Sequence, residues 1–269
     1  MPIGEVTRGT TGVNRLRRID RWIAAQPVLR RTADPLVVDL GYGASATTSI
    51  ELWQRLQPVQ ADVEVIGIEI APERVRLASE QLAAARERGR VPASAPIRFQ
   101  HGGFEVPMPG DRRPAVIRAL NVLRQYDEAD VAGHWQRMLD RLQPGGLLVE
   151  GTCNEVGRIA TWVGLDPSGP QTFTISLRLS ELDSPLIAAE RLPKSLIHRN
   201  VPGERIHALL QDLDRQWRTH AGLGALSRVQ RWQASVRGLR DAGWTVLDGP
   251  KRWRLGELTV PYAEVAPAS

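Results

Sequence analysis

The feature that most constrains the fold of this chain is an apolar run that leads through two glycines into a helical pattern. Residues 35–47 read Pro-Leu-Val-Val-Asp-Leu-Gly-Tyr-Gly-Ala-Ser-Ala-Thr, so Asp39 ends a strand-like run and Gly41 and Gly43 follow it. Glycines at this position let backbone N–H groups approach a ligand at the start of a helix. The pattern predicts a turn between strand and helix that binds a small molecule beside an acidic side chain.

A second acidic residue supports a nucleotide-like ligand. The apolar run over 63–70 predicts another strand, and Glu69 lies near its end, 28 residues after Gly41. An acid at the end of the second parallel strand can accept hydrogen bonds from both hydroxyls of a ribose. The glycine turn and this acid together predict a cofactor that contains a nucleoside.

Alternating strand and helix patterns predict the fold. Strands are expected over 35–39, 63–70, 97–100, 115–123 and 147–152, with helices over 47–56, 72–88 and 128–142. Five such units in succession predict a doubly wound, mostly parallel α/β sheet with helices on both faces, because parallel neighbours need helical crossovers. Two closing strands, 244–247 and 257–261, bring the expected count to seven, and the last of them is expected to be antiparallel.

The region between the fifth strand and the closing strands has a different pattern. Two β-rich runs, 158–165 and 171–179, surround Asp-Pro-Ser-Gly-Pro and predict a hairpin, and helical patterns follow at 203–218 and 226–242. We interpret 156–225 as an insertion of hairpin and helices in a single domain, 32–269, preceded by a basic helical arm over 1–31. A chain of 269 residues is near the upper size for one core.

Composition limits the class of protein. No apolar run approaches the roughly 18 residues of a membrane span, and the start of the chain does not resemble a secretory signal, so we expect a cytoplasmic protein without membrane partners. The single cysteine, Cys153, is incompatible with a disulfide framework and with a cysteine-rich metal site, so no metal is expected. Residues 1–31 carry seven Arg against two acids, and 33 of the 35 basic residues are Arg. A basic N-terminal stretch of this kind can attract an anionic partner, or it can reflect the Arg-rich composition of the whole chain.

The chain resembles the class I S-adenosylmethionine-dependent methyltransferases over roughly 35–155 and 226–262. The family's first motif, acid-x-Gly-x-Gly-x-Gly, corresponds to Asp39-Leu-Gly-Tyr-Gly-Ala-Ser45, and its ribose-binding acid corresponds to Glu69. The turn Pro144-Gly-Gly146 before the fifth strand is also typical. The resemblance implies S-adenosylmethionine as cofactor and methyl transfer to an oxygen, nitrogen or carbon atom. The residues that it implies for cofactor binding are Asp39, Gly41, Tyr42, Gly43, Ser45, Glu69, Ile70, Gly103, Phe104 and Asn121.

The chain departs from the family pattern in two places. The acid that often follows the third strand and meets the adenine amino group is missing from Gln100-His-Gly-Gly-Phe104. Strand four ends in Asn121-Val-Leu and not in the Asn/Asp-Pro-Pro-aromatic sequence of enzymes that methylate exocyclic base amines. This disfavours a methyltransferase of adenine or cytosine amino groups. The acceptor that we expect is a small molecule, and an anionic one is a candidate.

Residues beyond the fourth and fifth strands are candidates for the acceptor site. The resemblance places Arg124, Tyr126 and Glu155 there as catalytic candidates. The preferred explanation is structural, with Arg124 paired to Asp127 or Glu128 and Tyr126 packed on a helix, because structural ion pairs are commoner than catalytic ones. The N-terminal arm is a candidate lid, in which Arg8, Thr10 and Thr11 meet an anionic acceptor.

Other functions are also compatible with the sequence. Thr152-Cys153 faintly resembles RNA cytosine-5 methyltransferases, and Arg228, Arg231, Arg237 and Arg240 recur on one predicted helix. The chain can therefore be a nucleic-acid methyltransferase, or a non-catalytic protein that binds a cofactor or nucleic acid on the same fold.

The glycines also fit the dinucleotide fingerprint of NAD(P)-dependent oxidoreductases. That fingerprint expects its ribose acid about 20 residues on, whereas Glu69 lies 28 residues after Gly41. An acid at position 39 would also repel a pyrophosphate. Both observations favour S-adenosylmethionine over a nicotinamide cofactor.

Overall fold

The computed structural model describes residues 2–7 and 12–267. Its strands are β1 Leu36–Leu40, β2 Glu64–Glu69, β3 Ile97–His101, β4 Val116–Leu120, β5 Leu147–Cys153, β6 Ile159–Asp166, β7 Gly169–Leu177 and β8 Glu257–Pro261. Its α-helices are α1 Arg17–Ala25, α2 Val28–Arg31, α3 Thr47–Leu56, α4 Pro72–Glu87, α5 Val131–Leu139, α6 Lys194–Ile197, α7 Arg205–Thr219, α8 Arg228–Asp241 and α9 Pro250–Trp253. Short 3-10 helices cover Leu123–Gln125, Glu128–Asp130, Leu179–Glu181, Pro185–Arg191, Ala221–Ala225 and Tyr262–Glu264.

The strands form one hydrogen-bonded sheet in the order β3-β2-β1-β4-β5-β6-β7-β8. β1 pairs in parallel with β2 and β4, and β2 pairs in parallel with β3. The order 3-2-1-4-5 is that of doubly wound folds. β8 pairs antiparallel with β7. The predicted α/β sheet with an antiparallel last strand is confirmed.

The predicted number of strands is corrected from seven to eight. The predicted hairpin forms as β6 and β7, and both strands lie in the sheet between β5 and β8. The strand predicted over 244–247 does not form. Trp244 is buried and its indole donates to Asp212 Oδ2 (2.9 Å), and Leu247 N donates to Thr259 O (2.9 Å). Trp244 therefore packs its side chain in the core, Leu247 is exposed, and residues 244–247 form no ladder of backbone hydrogen bonds.

By its internal contacts the chain divides into two compact units. The first comprises 1–150, 155–157 and 165–169, and the second comprises 151–154, 158–164 and 170–269. In the first unit every residue of β1 and β4 is buried, as expected for strands covered on both faces. In the second unit the core includes Trp217 and Trp232, whose ring centroids lie 6.4 Å apart. Among the described residues, no helix is both long and apolar enough to cross a membrane.

A buried carboxyl group lies on β5 within the first unit. Glu150 has no solvent-exposed surface. Burial raises its pKa to about 8, and the nearby Trp135 indole opposes that shift. A carboxyl with a raised pKa holds its proton in the folded protein at pH values where the unfolded chain has lost it. Folding stability therefore falls as the pH rises from about 4.5 towards 8.

Replacing Glu150→Gln should remove this pH dependence, since the amide is neutral throughout. Relative to the variant, the wild-type protein should lose up to about 1.4 kcal/mol of unfolding free energy per pH unit in that window. Urea unfolding at pH 5, 6.5 and 8 measures the difference. Glu73→Gln, at an exposed position, should follow the wild type. Parallel stability curves for Glu150→Gln and the wild type would show that Glu150 is ionised in the folded protein.

Candidate cofactor-binding site

The turn after β1 requires glycine at position 41. Gly41 has φ +65°, in the left-handed region, and its N–H donates to Ile68 O at 2.7 Å. A Cβ at this position would lie 2.7 Å from Val122 Cγ2, which is closer than two carbon atoms can approach. Gly43 also has a positive φ, +85°. The backbone therefore bends sharply between β1 and α3, as the sequence predicts.

The carboxylate at the end of β2 is hydrogen-bonded to this turn. Glu69 is 1 % exposed, and its Oε2 accepts a hydrogen bond from Gly43 N at 3.0 Å. Its Oε1 accepts from Ile70 N at 3.0 Å, and Arg74 Nη1 lies 3.7 Å from Oε2. The two sequence features that predicted a nucleoside are thus parts of one hydrogen-bonded unit.

Two cavities in the first unit adjoin this turn. The first cavity is lined by Thr7, Arg15, Leu16, Asp39, Gly41, Tyr42, Gly43, Thr48, Leu120 and Asn121. The second cavity is lined by Ile3, Gly4, Glu5, Thr7, Leu40, Gly41, Glu69, Ile70, Gly102, Gly103, Phe104, Val122 and Tyr126. Gly41 and Thr7 line both, so the cavities meet at the glycine turn.

The structure places nine of the ten predicted cofactor residues on these cavities. The first cavity contains Asp39, Gly41, Tyr42, Gly43 and Asn121, and the second contains Glu69, Ile70, Gly103 and Phe104. Ser45 lies instead in a separate surface groove between α3 and α4, where its hydroxyl donates to Thr47 Oγ1 at 3.0 Å. Asn121, directly after β4, has φ +62° and ends that strand earlier than predicted.

Unlike the predicted cofactor residues, most of the residues predicted for the acceptor site do not line the two cavities. Tyr126 lines the second cavity, and its hydroxyl accepts a hydrogen bond from Glu5 N at 2.5 Å. Arg124 and Glu155 are exposed and line neither cavity. Arg8, Thr10 and Thr11 lie outside the described residues. Tyr126 is therefore the one catalytic candidate that the described structure brings to the cavities.

An aromatic cluster forms one side of the second cavity. Phe104 stacks on His134 with 4.0 Å between ring centroids, and Tyr126 meets His134 edge-on at 4.7 Å. Burial raises the pKa of Tyr126 and lowers the pKa of His134, so both rings are neutral near pH 7. An uncharged aromatic wall suits a flat, apolar ligand group.

An acid that the sequence analysis missed lies beside Gly103. Glu105 Oε1 accepts from Gly103 N at 2.9 Å, and Glu105 Oε2 accepts from Ile3 N at 2.7 Å. The sequence has no acid directly after β3, because Glu105 lies four residues after the end of that strand, in a turn. The carboxylate holds the N-terminal segment against the loop that follows β3.

The N-terminal residues 2–7 lie across the second cavity. Phe104 N donates to Ile3 O at 2.9 Å, and Arg74 Nη2 donates to Thr7 O at 2.8 Å. A Cβ at position 103 would lie 2.1 Å from Ile3 O, so glycine is required for this close approach. The segment thus forms a wall of the cavity on the side of Glu69 and Gly103.

The strongest charge interactions in the first unit surround Arg118 of β4, which has no exposed side-chain surface. Arg118 binds Asp39 through a hydrogen bond from Nε to Oδ1 (3.1 Å) and an ion-pair contact between Nη2 and Oδ2 (2.6 Å), and it also binds Asp20 of α1. Asp39 Oδ2 also accepts from Thr48 Oγ1 (3.1 Å) and Ser49 Oγ (2.8 Å). The two carboxylates outweigh the effect of burial and raise the pKa of Arg118, which is therefore charged.

The sequence contained a signal for this network that we did not use. Arg118 interrupts an otherwise apolar buried strand, and a buried Arg requires anionic partners. Its partners lie 79 and 98 positions away in the chain, so local patterns do not identify them.

The basic helix proposed to follow nucleic-acid phosphates has other contacts in the second unit. The Arg231 guanidinium lies over the Trp217 ring at 3.8 Å, and it donates to Trp217 O at 2.9 and 2.7 Å. Arg228 donates to Leu182 O, and Arg240 lies over the Trp253 ring at 5.9 Å. Three of the four arginines of α8 thus stabilise their own unit, which weakens the argument for a phosphate-binding surface.

The described structure also shows where the single cysteine lies and whether possible metal ligands are grouped. Cys153 is a fully buried residue of β5 that forms no disulfide. Among residues 2–7 and 12–267, no group of three or more His, Cys, Asp or Glu side chains is arranged to hold a metal ion.

Comparison with known proteins finds similarity to solved structures of low identity. No protein-family model matches the chain, and no curated protein matches it. Human N-acetylserotonin methyltransferase with S-adenosylmethionine has a TM-score of 0.36 and 20 % identity, over 53 % of this chain and 36 % of that one. Magnesium protoporphyrin IX methyltransferase from Synechocystis PCC 6803 with S-adenosylhomocysteine has a TM-score of 0.38 and 20 % identity, over 55 % of this chain and 64 % of that one. The CcbJ methyltransferase from Streptomyces caelestis has a TM-score of 0.35 and 22 % identity, over 58 % of this chain and 64 % of that one.

The chain thus spans about a third of the human enzyme and under two thirds of the other two. The functional interpretation of the site therefore rests on the residues described above.

Replacing Arg118→Met should destabilise the protein strongly, because two buried carboxylates lose their shared cation. Breaking a buried ion pair from one side costs about 3–5 kcal/mol. Urea unfolding measures the change. Arg76→Met is the matched control, since Arg76 pairs with Glu80 on the exposed face of α4 and such pairs contribute about 0.5 kcal/mol or less.

The double variant Asp39→Asn, Arg118→Met should recover part of the lost free energy of unfolding, because a neutral amide then replaces one of the two unpaired carboxylates. Equal destabilisation by Arg118→Met and Arg76→Met would contradict the buried network.

Proposed function

We propose that this protein is a methyltransferase that uses S-adenosylmethionine. The observation that carries the proposal is the hydrogen bond between Glu69 Oε2 and Gly43 N, which joins the predicted ribose acid to the glycine turn where the two cavities meet. The sequence resemblance to class I methyltransferases supports the same cofactor. Its sulfonium centre supplies an activated methyl group, so the protein mainly has to bind and align the reactants.

The residues present fit such a cofactor. A carboxylate has about four sites that accept hydrogen bonds. Glu69 uses three of them for the N–H groups of Gly43, Ile70 and, at 3.4 Å, Ala71, so it retains capacity for a hydroxyl. Gly41 keeps the turn free of a side chain, and Phe104 offers an apolar ring beside the second cavity. We assign the ribose to Glu69 and the adenine to the side of Gly103 and Phe104.

A nicotinamide dinucleotide is the weaker candidate. The spacing from Gly41 to Glu69 still disfavours it. Repulsion between Asp39 and a pyrophosphate is a weaker reason, however, because the ion pair with Arg118 neutralises much of the charge of Asp39. The spacing is thus the better reason to prefer S-adenosylmethionine.

For the acceptor we propose a small molecule. The arginines of α8 are engaged within their own unit, which disfavours a nucleic acid. Tyr126, on the second cavity, is the described residue best placed to contact an acceptor hydroxyl or amine. Cytoplasmic location is part of the same proposal.

Replacing Glu69→Gln should weaken binding of S-adenosylmethionine and S-adenosylhomocysteine. Loss of a hydrogen bond to a charged group costs about 1.5–3 kcal/mol, which corresponds to about 10–100-fold in Kd. Isothermal titration calorimetry with both ligands and with NADH measures the dissociation constants. Glu73→Gln, a substitution at an exposed position, is the control.

Binding of NADH but not of S-adenosylhomocysteine by the folded wild type would overturn the proposed cofactor. Unchanged affinity in Glu69→Gln would remove Glu69 from the site.

We further propose that the N-terminal arm is a lid over the cofactor. Residues 2–7 line the second cavity and are held by backbone hydrogen bonds to polar groups of the first unit. If the ligand leaves only when these bonds open, saturating S-adenosylhomocysteine at 100 times its Kd should slow amide exchange in residues 2–7 by up to about 100-fold. Mass spectrometry of exchanged peptides measures this, with residues 250–267 of the second unit as internal control.

Equal exchange rates of residues 2–7 with and without ligand would contradict a lid. An Arg8→Ala variant with unchanged turnover of an identified acceptor would exclude Arg8 from acceptor binding.

A further inference from the structure

A third cavity, of about 320 Å³, is lined only by residues of the second unit. This volume lies within the range of about 300–1,000 Å³ that is usual for small-molecule sites. Its lining includes five aliphatic side chains, those of Ile159, Leu177, Leu182, Leu186 and Ile187. The cavity therefore offers apolar surface to a small ligand, and none of the residues assigned to the cofactor lines it.

Two arginines lie side by side at this cavity. Arg158 directly precedes β6 and Arg178 directly follows β7, and Arg178 N donates to Arg158 O at 2.8 Å. This backbone hydrogen bond brings two cations together on neighbouring segments of the chain. Like charges at such positions destabilise the fold, so the pair favours an anion between the two side chains.

Glu181 supplies that anion in the structure. Its Oε2 lies 2.7 Å from Arg158 Nη1, and its Oε1 lies 3.2 Å from Arg178 Nη2. The Glu181 side chain is 54 % exposed and belongs to the short 3-10 helix Leu179–Glu181. Exposed ion pairs of this kind contribute little to stability. A carboxylate from a ligand can therefore take the place of Glu181.

The two guanidinium groups also retain donors for a ligand. A guanidinium has five N–H donors. Within the described part of the chain, the side chain of Arg158 contacts only Glu181, and that of Arg178 contacts only Glu181 and Ser180 Oγ (2.9 Å). Asp183, the second acid on the cavity, is exposed and forms an ion pair with neither arginine in the same described residues. Planar guanidinium groups suit a carboxylate because they bind it with two parallel hydrogen bonds.

Part of the cavity wall is held in place by α7. Trp217 Nε1 donates to Asp183 O at 2.7 Å, and Ser184 Oγ donates to Asp214 Oδ1 at 2.5 Å. Asp183 and Ser184 both line the cavity, whereas Trp217 and Asp214 are buried residues of the helix. A wall that is fixed before the ligand arrives needs little reorganisation on binding, and this favours affinity.

We propose that the third cavity binds a small molecule with an apolar body and one carboxylate. The carboxylate replaces Glu181 between Arg158 and Arg178, and the apolar body lies against the aliphatic side chains of the cavity. Glu181 occupies the charged end of the site when no ligand is bound. The site goes beyond the proposed function, because it belongs to the second unit and does not depend on the cofactor.

The test uses octanoate and its neutral amide, octanamide, which share an apolar chain and differ in charge. NMR titration measures both affinities for the full-length wild type and for three variants. The wild type should bind octanoate at least about tenfold more tightly than octanamide, and Arg178→Gln should lose about tenfold in affinity for octanoate only. Glu181→Gln should bind octanoate about two- to fivefold more tightly, because the internal competitor is gone. Arg237→Gln, at an exposed position of α8, is the matched control and should behave as the wild type.

Four results would overturn the proposal. The first two concern the wild type alone, and they are equal affinities for octanoate and octanamide and failure of the folded protein to bind octanoate. The third is an unchanged preference for octanoate in Arg178→Gln, and the fourth is weaker binding of octanoate by Glu181→Gln. Titration of the same samples with S-adenosylhomocysteine tests the proposed cofactor separately, so the failure of one proposal is distinguishable from the failure of the other.

Discussion

The first unit depends on the ion pairs that Arg118 makes with Asp20 and Asp39. A guanidinium with no exposed surface is stable only when anions and polar groups satisfy it on several sides. Here the partners come from α1 and β1, and Thr48 O of α3 accepts a further hydrogen bond at 3.2 Å. One side chain of β4 therefore fixes the N-terminal helix, the strand before the glycine turn and the helix after it. Arg15, which lines the first cavity, lies in the turn that leads into α1.

Each of the two acids that suggested a nucleoside is held by several donors. Glu69 is held by backbone N–H groups of the glycine turn and of its own strand end, and Asp39 by Arg118, Thr48 and Ser49. Groups that are already oriented need little reorganisation when a ligand binds, and this raises affinity without adding contacts. The same arrangement limits what substitutions can show. An Asp39→Ala variant would leave Arg118 with one carboxylate fewer, so weaker ligand binding could come from misfolding, whereas Glu69 has no such buried cation to unpair.

The parts of the fold and of the site that could be predicted from the sequence are those that depend on local patterns of residues. β1, the turn at Gly41, Glu69 at the end of β2 and the parallel half of the sheet follow from apolar runs, glycines and helical spacing. The network around Arg118 and the position of Glu105 depend on residues brought together by the fold, and the local pattern carries no information about such pairs. The strand predicted over 244–247 failed for a related reason. Alternating apolar residues describe both a strand and a segment that packs its side chains, and here Trp244 packs and donates to Asp212.

The same contacts explain why the N-terminal arm combines a fixed and a releasable part. From Asn14 onward the chain is fastened to α3 and, through Asp20, to the buried Arg118, and opening it would expose unpaired charges. Residues 2–7 are held by several separate hydrogen bonds. Ile3 N donates to Glu105 and Ile3 O accepts from Phe104 N, Glu5 N donates to Tyr126, and Thr7 O accepts from Arg74. Such bonds contribute about 1 kcal/mol each and open without disturbing the core. A ligand can therefore reach the second cavity by displacing residues 2–7, while the chain from Asn14 onward stays in place.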